Sequence, residues 1–137
     1  MLRNMALSGL GLSAVLLTTC SRTAPSAEAG RELYEANGCA SCHGRSGHGD
    51  GPAAAALPSK PADFRNPSQF KRGASEAAIA GTLAQGISIL HTMPALKTTH
   101  HMLVMPKFDH LTETERRSIA LYVISMRTDV DHGRVQP

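Results

Sequence analysis

The stretch NGCASCHGRSGHGDG, residues 37–51, contains two cysteines separated by two residues and a histidine directly after the second. Cys39, Cys42 and His43 are residue types that bind metals or react with one another, and this spacing has three chemical uses. The thiols form a disulfide, they ligate a zinc ion together with other donors, or they attach a haem whose iron the histidine binds. Other features of the sequence must indicate which of these three uses applies.

The size and composition of the chain limit its function. It has 137 residues, which suits one domain. Aromatic residues make up only 4% and Trp is absent, so a bound cofactor would add apolar volume to a small core. The formal charge is +3, from 14 basic and 11 acidic residues, and Lys and Arg form no continuous stripe. This balance gives no indication of nucleic-acid binding and slightly favours acidic partner surfaces.

The first 20 residues are typical of a targeting segment. Arg3 precedes an uncharged and mostly apolar stretch, residues 5–17, which is too short for a permanent membrane span and fits a signal peptide. It ends in LTTC, which resembles the lipobox of bacterial lipoproteins, where the cysteine becomes the lipidated first residue. We therefore expect a signal peptide over 1–20 and a lipid on Cys20 that anchors the protein on the periplasmic side of a membrane. The alternative is a plain signal peptide in which Cys20 has no role.

The remaining chain divides into three parts. Residues 21–29 are small and polar and predict a tether, whereas residues 27–128 predict one mostly α domain. Within this domain, residues 44–73 have many Gly and Pro and little periodicity, which indicates a long ordered loop. The last helix is expected to end near Arg127, before a polar tail over 129–137.

Three helices are predicted from their end signals. The first, AEAGRELYEANG, ends at a glycine directly before Cys39. The second lies between Ser75 as N-cap and Gly86 as C-terminal cap. The third follows Thr112 and Glu115, which have the spacing of a capping box. No segment alternates clearly enough to predict a β-strand.

Haem attachment explains the cysteine spacing best. Two thiols with two residues between them lie on one helical turn, where they can add to the two vinyl groups of one porphyrin, and His43 follows as a ligand to the iron. A thioredoxin-like pair needs a preceding strand, which Cys39 lacks. A structural zinc needs four ligands, and the chain has no second CxxC. The signal peptide supports haem further, because an exported pair of free thiols would otherwise tend to oxidise.

From about Ala27 to Arg127 the sequence resembles a monohaem class I cytochrome c of bacteria. The likeness is carried by CxxCH, by Gly30 and Tyr34 in the first helix with Tyr122 in the last, by HGDGPAAAAL, and by MPKFDHLTETER. The resemblance implies a small cytochrome c fold, in which three or more helices with long loops surround one covalently bound haem c. It further implies that the carbonyl of Pro52 accepts a hydrogen bond from the haem histidine.

The sixth iron ligand has two main candidates. A thioether opposite an imidazole favours ferrous iron and suits electron transfer. The resemblance favours Met105, which begins the Met-Pro loop before the last helix. Met93 also precedes a proline and remains the alternative, whereas Met102 lacks one.

Several histidines lie in the same region and leave other chemistry open. One of them could replace methionine on the iron, and together with methionines they could bind copper, because imidazole and thioether suit Cu(I). These residues are His91, His100, His101 and His110. The simplest interpretation is that they are exposed loop residues.

The predicted function is a one-electron carrier with His43 and Met105 on the haem iron, not an enzyme with catalytic side chains. Its partners would be redox proteins with an acidic surface, oriented in part by Lys97 and Lys107. Lys60 and Arg65 are the candidates for haem propionate contacts. The alternatives are a haem subunit of a larger oxidoreductase, a haem sensor or peroxidase with a vacatable sixth site, and a copper-handling lipoprotein.

Overall fold

The computed structural model describes residues 24–93 and 98–132. The expected signal peptide over 1–20, the lipidation candidate Cys20 and the charged residue Lys97 lie outside these residues. The described chain forms, in order, α1 Ala27–Ala36, α2 Ala40–His43, α3 Glu76–Gln85, β1 Ile87–Met93, β2 Thr98–Met105 and α4 Glu113–His132. The mostly α architecture that the sequence predicts is therefore confirmed.

α1 and α4 pack closely against each other. A β-carbon at Gly30 would overlap the carbonyl group of Ser118, so glycine is what allows the two backbones to approach this closely. Farther along, Tyr34 packs edge-on against Tyr122 with ring centroids 5.4 Å apart. The glycine and aromatic contacts between the first and last helices that the resemblance implies are thus present.

α3 has both of its predicted ends. The hydroxyl of Ser75 accepts a 3.2 Å hydrogen bond from the N–H of Ala78, and the N–H of Gly86 donates to the carbonyl of Thr82 at 2.8 Å. α3 also packs on α4, and the buried apolar side chains form one core. Its members are Tyr34, Phe64, Ile79, Ala80, Leu83, Phe108, Leu111, Ile119, Ala120, Val123 and Met126.

α4 begins as predicted but ends later. The Glu115 carboxylate accepts a 2.7 Å hydrogen bond from the N–H of Thr112, and the Thr112 hydroxyl accepts one from the N–H of Glu115, which confirms the capping box. The expected end near Arg127 is wrong, because the helix continues to His132. No Gly or Pro interrupts the chain before residue 133, so nothing stops the helix at Arg127. No described helix is long and apolar enough to cross a membrane.

The expectation that no segment forms a strand is also wrong. β1 and β2 pair as an antiparallel hairpin, from Ile87 opposite Met105 to Met93 opposite Thr98. Both strands are rich in the β-branched residues Ile, Thr and Val, which favour extended backbone. The hairpin lies in the chain between α3 and the loop that leads into α4, and Met105 at its open end packs against the core.

Candidate functional site

The CxxCH sequence occupies one helical turn. Cys39 is the N-cap of α2, and the N–H of His43 donates to the Cys39 carbonyl at 2.9 Å. Residues three and four apart on a helix are neighbours on its surface, so Cys39 lies beside both Cys42 and His43. The two thiols and the imidazole are therefore carried next to one another on hydrogen-bonded backbone.

The following loop holds this turn in place. The N–H groups of Gly49 and Gly51 donate to the carbonyls of His43 and Cys42, at 2.9 and 3.2 Å. These bonds satisfy acceptors that a helix end leaves free. A β-carbon at Gly51 would overlap the carbonyl group of Ser41, so a glycine is needed where the loop crosses α2. The Gly-rich sequence after His43 thus serves to fold the chain back over α2.

A buried tyrosine links α1 to the same turn. The hydroxyl of Tyr34 donates a 2.7 Å hydrogen bond to the carbonyl of Gly44. Burial raises the pKa of Tyr34 above its usual value, so the hydroxyl keeps its proton. The first helix therefore positions the residue that directly follows His43.

The environment of His43 leaves one ring nitrogen free. Its Nδ1 lies 3.4 Å from the carbonyl oxygen of Ala62, which can only accept, so Nδ1–H donates and Nε2 keeps a lone pair. The ring also stacks on Phe64, with centroids 4.4 Å apart and an interplanar angle of 21°. Burial lowers the pKa of His43, so the imidazole is neutral at pH 7 and able to bind a metal ion.

The carbonyl that meets His43 differs from the one that the resemblance implies. Pro52 is exposed and lies in the turn that crosses α2, whereas Ala62 provides the acceptor. The assignment of Pro52 therefore stays a prediction, and in this structure the acceptor beside His43 is the carbonyl of Ala62.

The candidate residues meet at one cavity of about 580 Å³. Cys39, Cys42 and His43 line this cavity, and so does Met105, the last residue of β2. The other apolar wall residues come from every part of the fold and include Leu57, Phe64, Phe70, Ile79, Leu83, Val104, Phe108, Ile119 and Val123. The space is within the range of small-molecule and cofactor sites.

The state of the cysteines does not favour a redox-active pair. Both are free thiols, and burial raises the pKa of the Cys39 thiol to about 11. A catalytic CxxC instead has one thiol with a lowered pKa. Although Cys39, Cys42 and His43 are close in the chain, no three His, Cys, Asp or Glu side chains among the described residues are arranged to hold one metal ion.

The alternative methionine ligand Met93 and three of the candidate histidines belong to the hairpin strands. Met93 is the last residue of β1, and with a rise of about 3.3 Å per residue it stands about 20 Å along the strand from Ile87 on the cavity wall. His91, His100 and His101 also belong to the hairpin strands. His110 is exposed, and its Nε2 lies 3.0 Å from the side-chain oxygen of Asn37.

Three exposed cations line the cavity. Lys60, Lys71 and Arg72 belong to its wall, and Arg72 donates a 2.8 Å hydrogen bond to the carbonyl of Gly86. Of the two propionate candidates, Lys60 is thus at the cavity, whereas Arg65 forms a 2.6 Å ion pair with Asp63. Sequence reasoning did not identify Lys71 and Arg72, although both precede the N-cap of α3 and stand next to Phe70.

The residues fit a covalently attached haem. Two adjacent free thiols, a neutral imidazole with one free nitrogen and a thioether surround a mainly apolar cavity. This donor set matches the c-type haem with His and Met axial ligands. Sequence reasoning had missed Phe64 and Ala62, and the second of these has no side-chain signal because its contribution is a backbone carbonyl.

Comparison with known proteins supports the same class. Residues 27–127 match the cytochrome c family. Among solved structures, the chain is similar to a protein of the reducing HAO-like protein complex of Kuenenia stuttgartiensis, with 30% sequence identity and a TM-score of 0.58. That match covers 73% of this chain and 43% of the other, so this chain spans less than half of that protein's length. No curated protein matches the sequence.

The chain belongs to the cytochrome c family. Its cofactor is accordingly haem c, which is covalently attached and contains iron, and its general function is haem-based electron transfer.

Proposed function

We propose that this chain is a one-electron carrier with one haem c attached to Cys39 and Cys42, and with His43 and Met105 as axial ligands. The observation that carries the proposal is that these four residues line one cavity. The haem supplies the one-electron chemistry of its iron when it is bound. The chain supplies the two ligands, an apolar wall and a surface where partners dock.

The geometry of the hairpin favours Met105 over Met93. Met105 pairs with Ile87, and both residues lie on the cavity wall. Met93 is at the far end of β1, about 20 Å along the strand. This position supports Met105 as the sixth ligand.

The visible spectrum of the oxidised, haem-loaded protein tests the ligand set. We expect the weak red band of sulfur-to-iron charge transfer, and we expect Met105→Ala to abolish it. Met93→Ala and the matched control Met102→Ala should keep it. If the band disappears only in Met93→Ala, the sixth ligand is Met93 and the assignment to Met105 is wrong. If the wild type lacks the band, His/Met ligation is contradicted altogether.

Carbon monoxide distinguishes a carrier from a sensor or peroxidase. With both axial positions filled by strong ligands, the reduced wild type should bind carbon monoxide slowly and incompletely in the absence of denaturant. Met105→Ala should bind it rapidly, because one position has lost its ligand. Rapid and complete binding by the wild type would contradict the carrier proposal and support a vacatable sixth site.

The second candidate is a haem subunit of a larger oxidoreductase. The observation that favours it is the similarity to a protein of a multi-protein complex. A subunit would be found in native membranes at a fixed ratio to a second chain after mild solubilisation, and at a size above that of the single chain. A carrier would run at the size of the single chain.

We also propose that the mature protein is on the periplasmic side and is anchored through Cys20. The support is the LTTC sequence after an apolar stretch. The mass of the mature chain should include a diacylglyceryl cysteine at Cys20. In the Cys20→Ala variant the haem protein should appear in the soluble periplasmic fraction, whereas an unmodified wild type would contradict the anchor.

The cations at the cavity suggest an acidic redox partner. Lys60, Lys71 and Arg72 are exposed on its wall, and opposite charge on a partner would speed association at low salt. We expect Lys71→Glu to slow electron exchange with an acidic acceptor protein at low ionic strength. The control Arg31→Glu changes an exposed residue of α1 and should have a smaller effect. Equal rates in the two variants would contradict this docking surface.

A further inference from the structure

Arg127 of α4 places a positive charge beside two aromatic residues of the haem cavity. Its Nε–H donates a 3.1 Å hydrogen bond to the carbonyl of Phe64. Its guanidinium carbon lies over the ring of Phe70, 4.7 Å from the centroid, which is the geometry of a cation–π contact. Phe64 and Phe70 both line the cavity. The side chain is therefore fixed at two points, and both belong to residues of the cavity wall.

One edge of the Arg127 guanidinium is shielded from water. Its Nη2 is buried, and no described atom forms a hydrogen bond with it. Among the side chains that the structure describes, the ion pairs that form all involve other residues. Burial lowers the pKa of Arg127, but an arginine side chain stays protonated in a protein, so the charge remains. The cavity wall thus has a partly buried cation behind it.

Stacked rings connect this charge to the proposed iron ligand His43. The His43 ring is 4.4 Å from that of Phe64, and the Phe64 ring is 5.6 Å from that of Phe70. The contact between Phe70 and Arg127 completes the series. Arg127 also follows Val123 by one helical turn, and Val123 lines the cavity, so the two residues share the face of α4 that is turned to it.

We propose that Arg127 raises the redox potential of the haem through its partly buried charge. This inference rests on the proposed attachment of the haem at Cys39, Cys42 and His43. The ferric site carries one more positive charge than the ferrous site, so a nearby cation disfavours the ferric state. Salt screens a buried charge much less than an exposed one, so the effect should persist at physiological ionic strength.

Coulomb's law gives the size of the expected effect. Two unit charges about 10–15 Å apart, at an effective dielectric constant of about 20, change an equilibrium constant about tenfold. Arg127→Gln removes the charge but keeps an amide N–H that can donate to the carbonyl of Phe64. At a fixed applied potential it should therefore shift the ratio of oxidised to reduced protein about tenfold towards the oxidised form. For one electron this corresponds to a fall of about 59 mV in the midpoint potential.

Three further variants separate the charge from the packing. Arg127→Lys keeps the charge but loses the planar guanidinium, so its potential should lie closer to that of the wild type than that of Arg127→Gln does. Arg127→Met is a second neutral variant, in case Arg127→Gln does not accumulate as a folded holoprotein. The matched control is Arg45→Gln, which removes an exposed cation two residues after His43. Its shift should be smaller and should disappear at high salt.

The measurement is a redox titration of the full, haem-loaded wild type and of each variant at low and high salt. An unchanged potential in Arg127→Gln would overturn the proposal. Equal falls in Arg127→Gln and Arg127→Lys would also overturn it, because the contact with Phe70 and not the charge would then set the potential.

The red sulfur-to-iron charge-transfer band separates this outcome from a failure of the proposed function. If the wild type lacks the band, Met105 is rejected as a ligand, but the comparison of potentials still decides the role of Arg127. If only the neutral Arg127 variants lose the band, Arg127 acts on the ligand set and the proposal of a direct charge effect is wrong.

Discussion

The hydroxyl of Tyr34 donates a 2.7 Å hydrogen bond to the carbonyl of Gly44, the residue directly after His43. Tyr34 belongs to the core between α1 and α4 and is 2% exposed, so this bond connects the helix pair to the CxxCH turn. The stability of the haem turn and the packing of the first helix are therefore coupled through one side chain.

Replacing Tyr34 with Phe tests this connection. Tyr34→Phe keeps the ring but leaves the buried Gly44 carbonyl without its donor, which should lower the free energy of unfolding by about 1–3 kcal/mol. Denaturant unfolding of the haem-loaded protein provides the measurement. The control Tyr122→Phe alters the neighbouring ring, which is only half-buried, and should cost less. An equal loss in the two variants would show that the bond to Gly44 has no special role.

The contact between Gly30 and Ser118 predicts a strong effect from one added methyl group. In Gly30→Ala the new β-carbon would overlap the Ser118 carbonyl group, so the helices must separate, at a cost of about 1–3 kcal/mol or more.

The matched control for this change is Gly81→Ala in α3, where an added β-carbon meets no atom within 4 Å. It should be neutral or stabilising by up to about 1 kcal/mol, because alanine favours a helix over glycine. The measurement is the melting temperature of each variant relative to the wild type. A Gly30→Ala protein as stable as the wild type would contradict the close packing of α1 on α4.

Phe64 shields His43, so its removal should affect both stability and redox potential. It is 8% exposed and stacks on the imidazole at 4.4 Å. Phe64→Ala should destabilise the fold by about 3–5 kcal/mol. It should also lower the haem potential relative to Phe64→Leu, because water near the site stabilises the ferric charge. Redox titration of the two holoproteins gives the comparison, and a higher potential in Phe64→Ala would contradict the shielding role.

Asp63 should make stability depend on pH in the acid range. The Arg65 guanidinium, which donates hydrogen bonds to this carboxylate, lowers the pKa of Asp63 from 3.8 to about 2. The charged carboxylate therefore stabilises the fold above the ordinary pKa, and this contribution is lost as the pH falls from 3.8 towards 2. Solvent screens this surface pair, so the effect should be about 1 kcal/mol or less.

The corresponding measurement is the melting temperature of the wild type and Asp63→Asn as a function of pH. The variant should melt below the wild type near pH 6, and the difference should shrink as the pH falls towards 2. A difference that stays constant across this range would show that the ionisation of Asp63 is not responsible.

Local patterns predicted the parts of the fold that depend on neighbouring residues. The caps at Ser75, Gly86 and Thr112 were predicted because each involves atoms within four positions along the chain. The end of α4 was misplaced because residues 128–132 are mostly polar, although none of these five is a Gly or Pro that would end a helix. The hairpin was missed because its period-2 alternation is short and is interrupted by a second histidine.

The sequence by itself determined the cofactor class, because the CxxCH spacing brings two thiols and an imidazole together on one turn of any helix. Only the tertiary structure decided which carbonyl meets His43, since Ala62 is 19 residues away and contributes a backbone atom that no side-chain pattern marks. The same holds for the cavity wall, whose residues come from distant parts of the chain. Contacts between distant segments depend on the path of the whole chain, whereas helix turns and caps depend on adjacent residues alone.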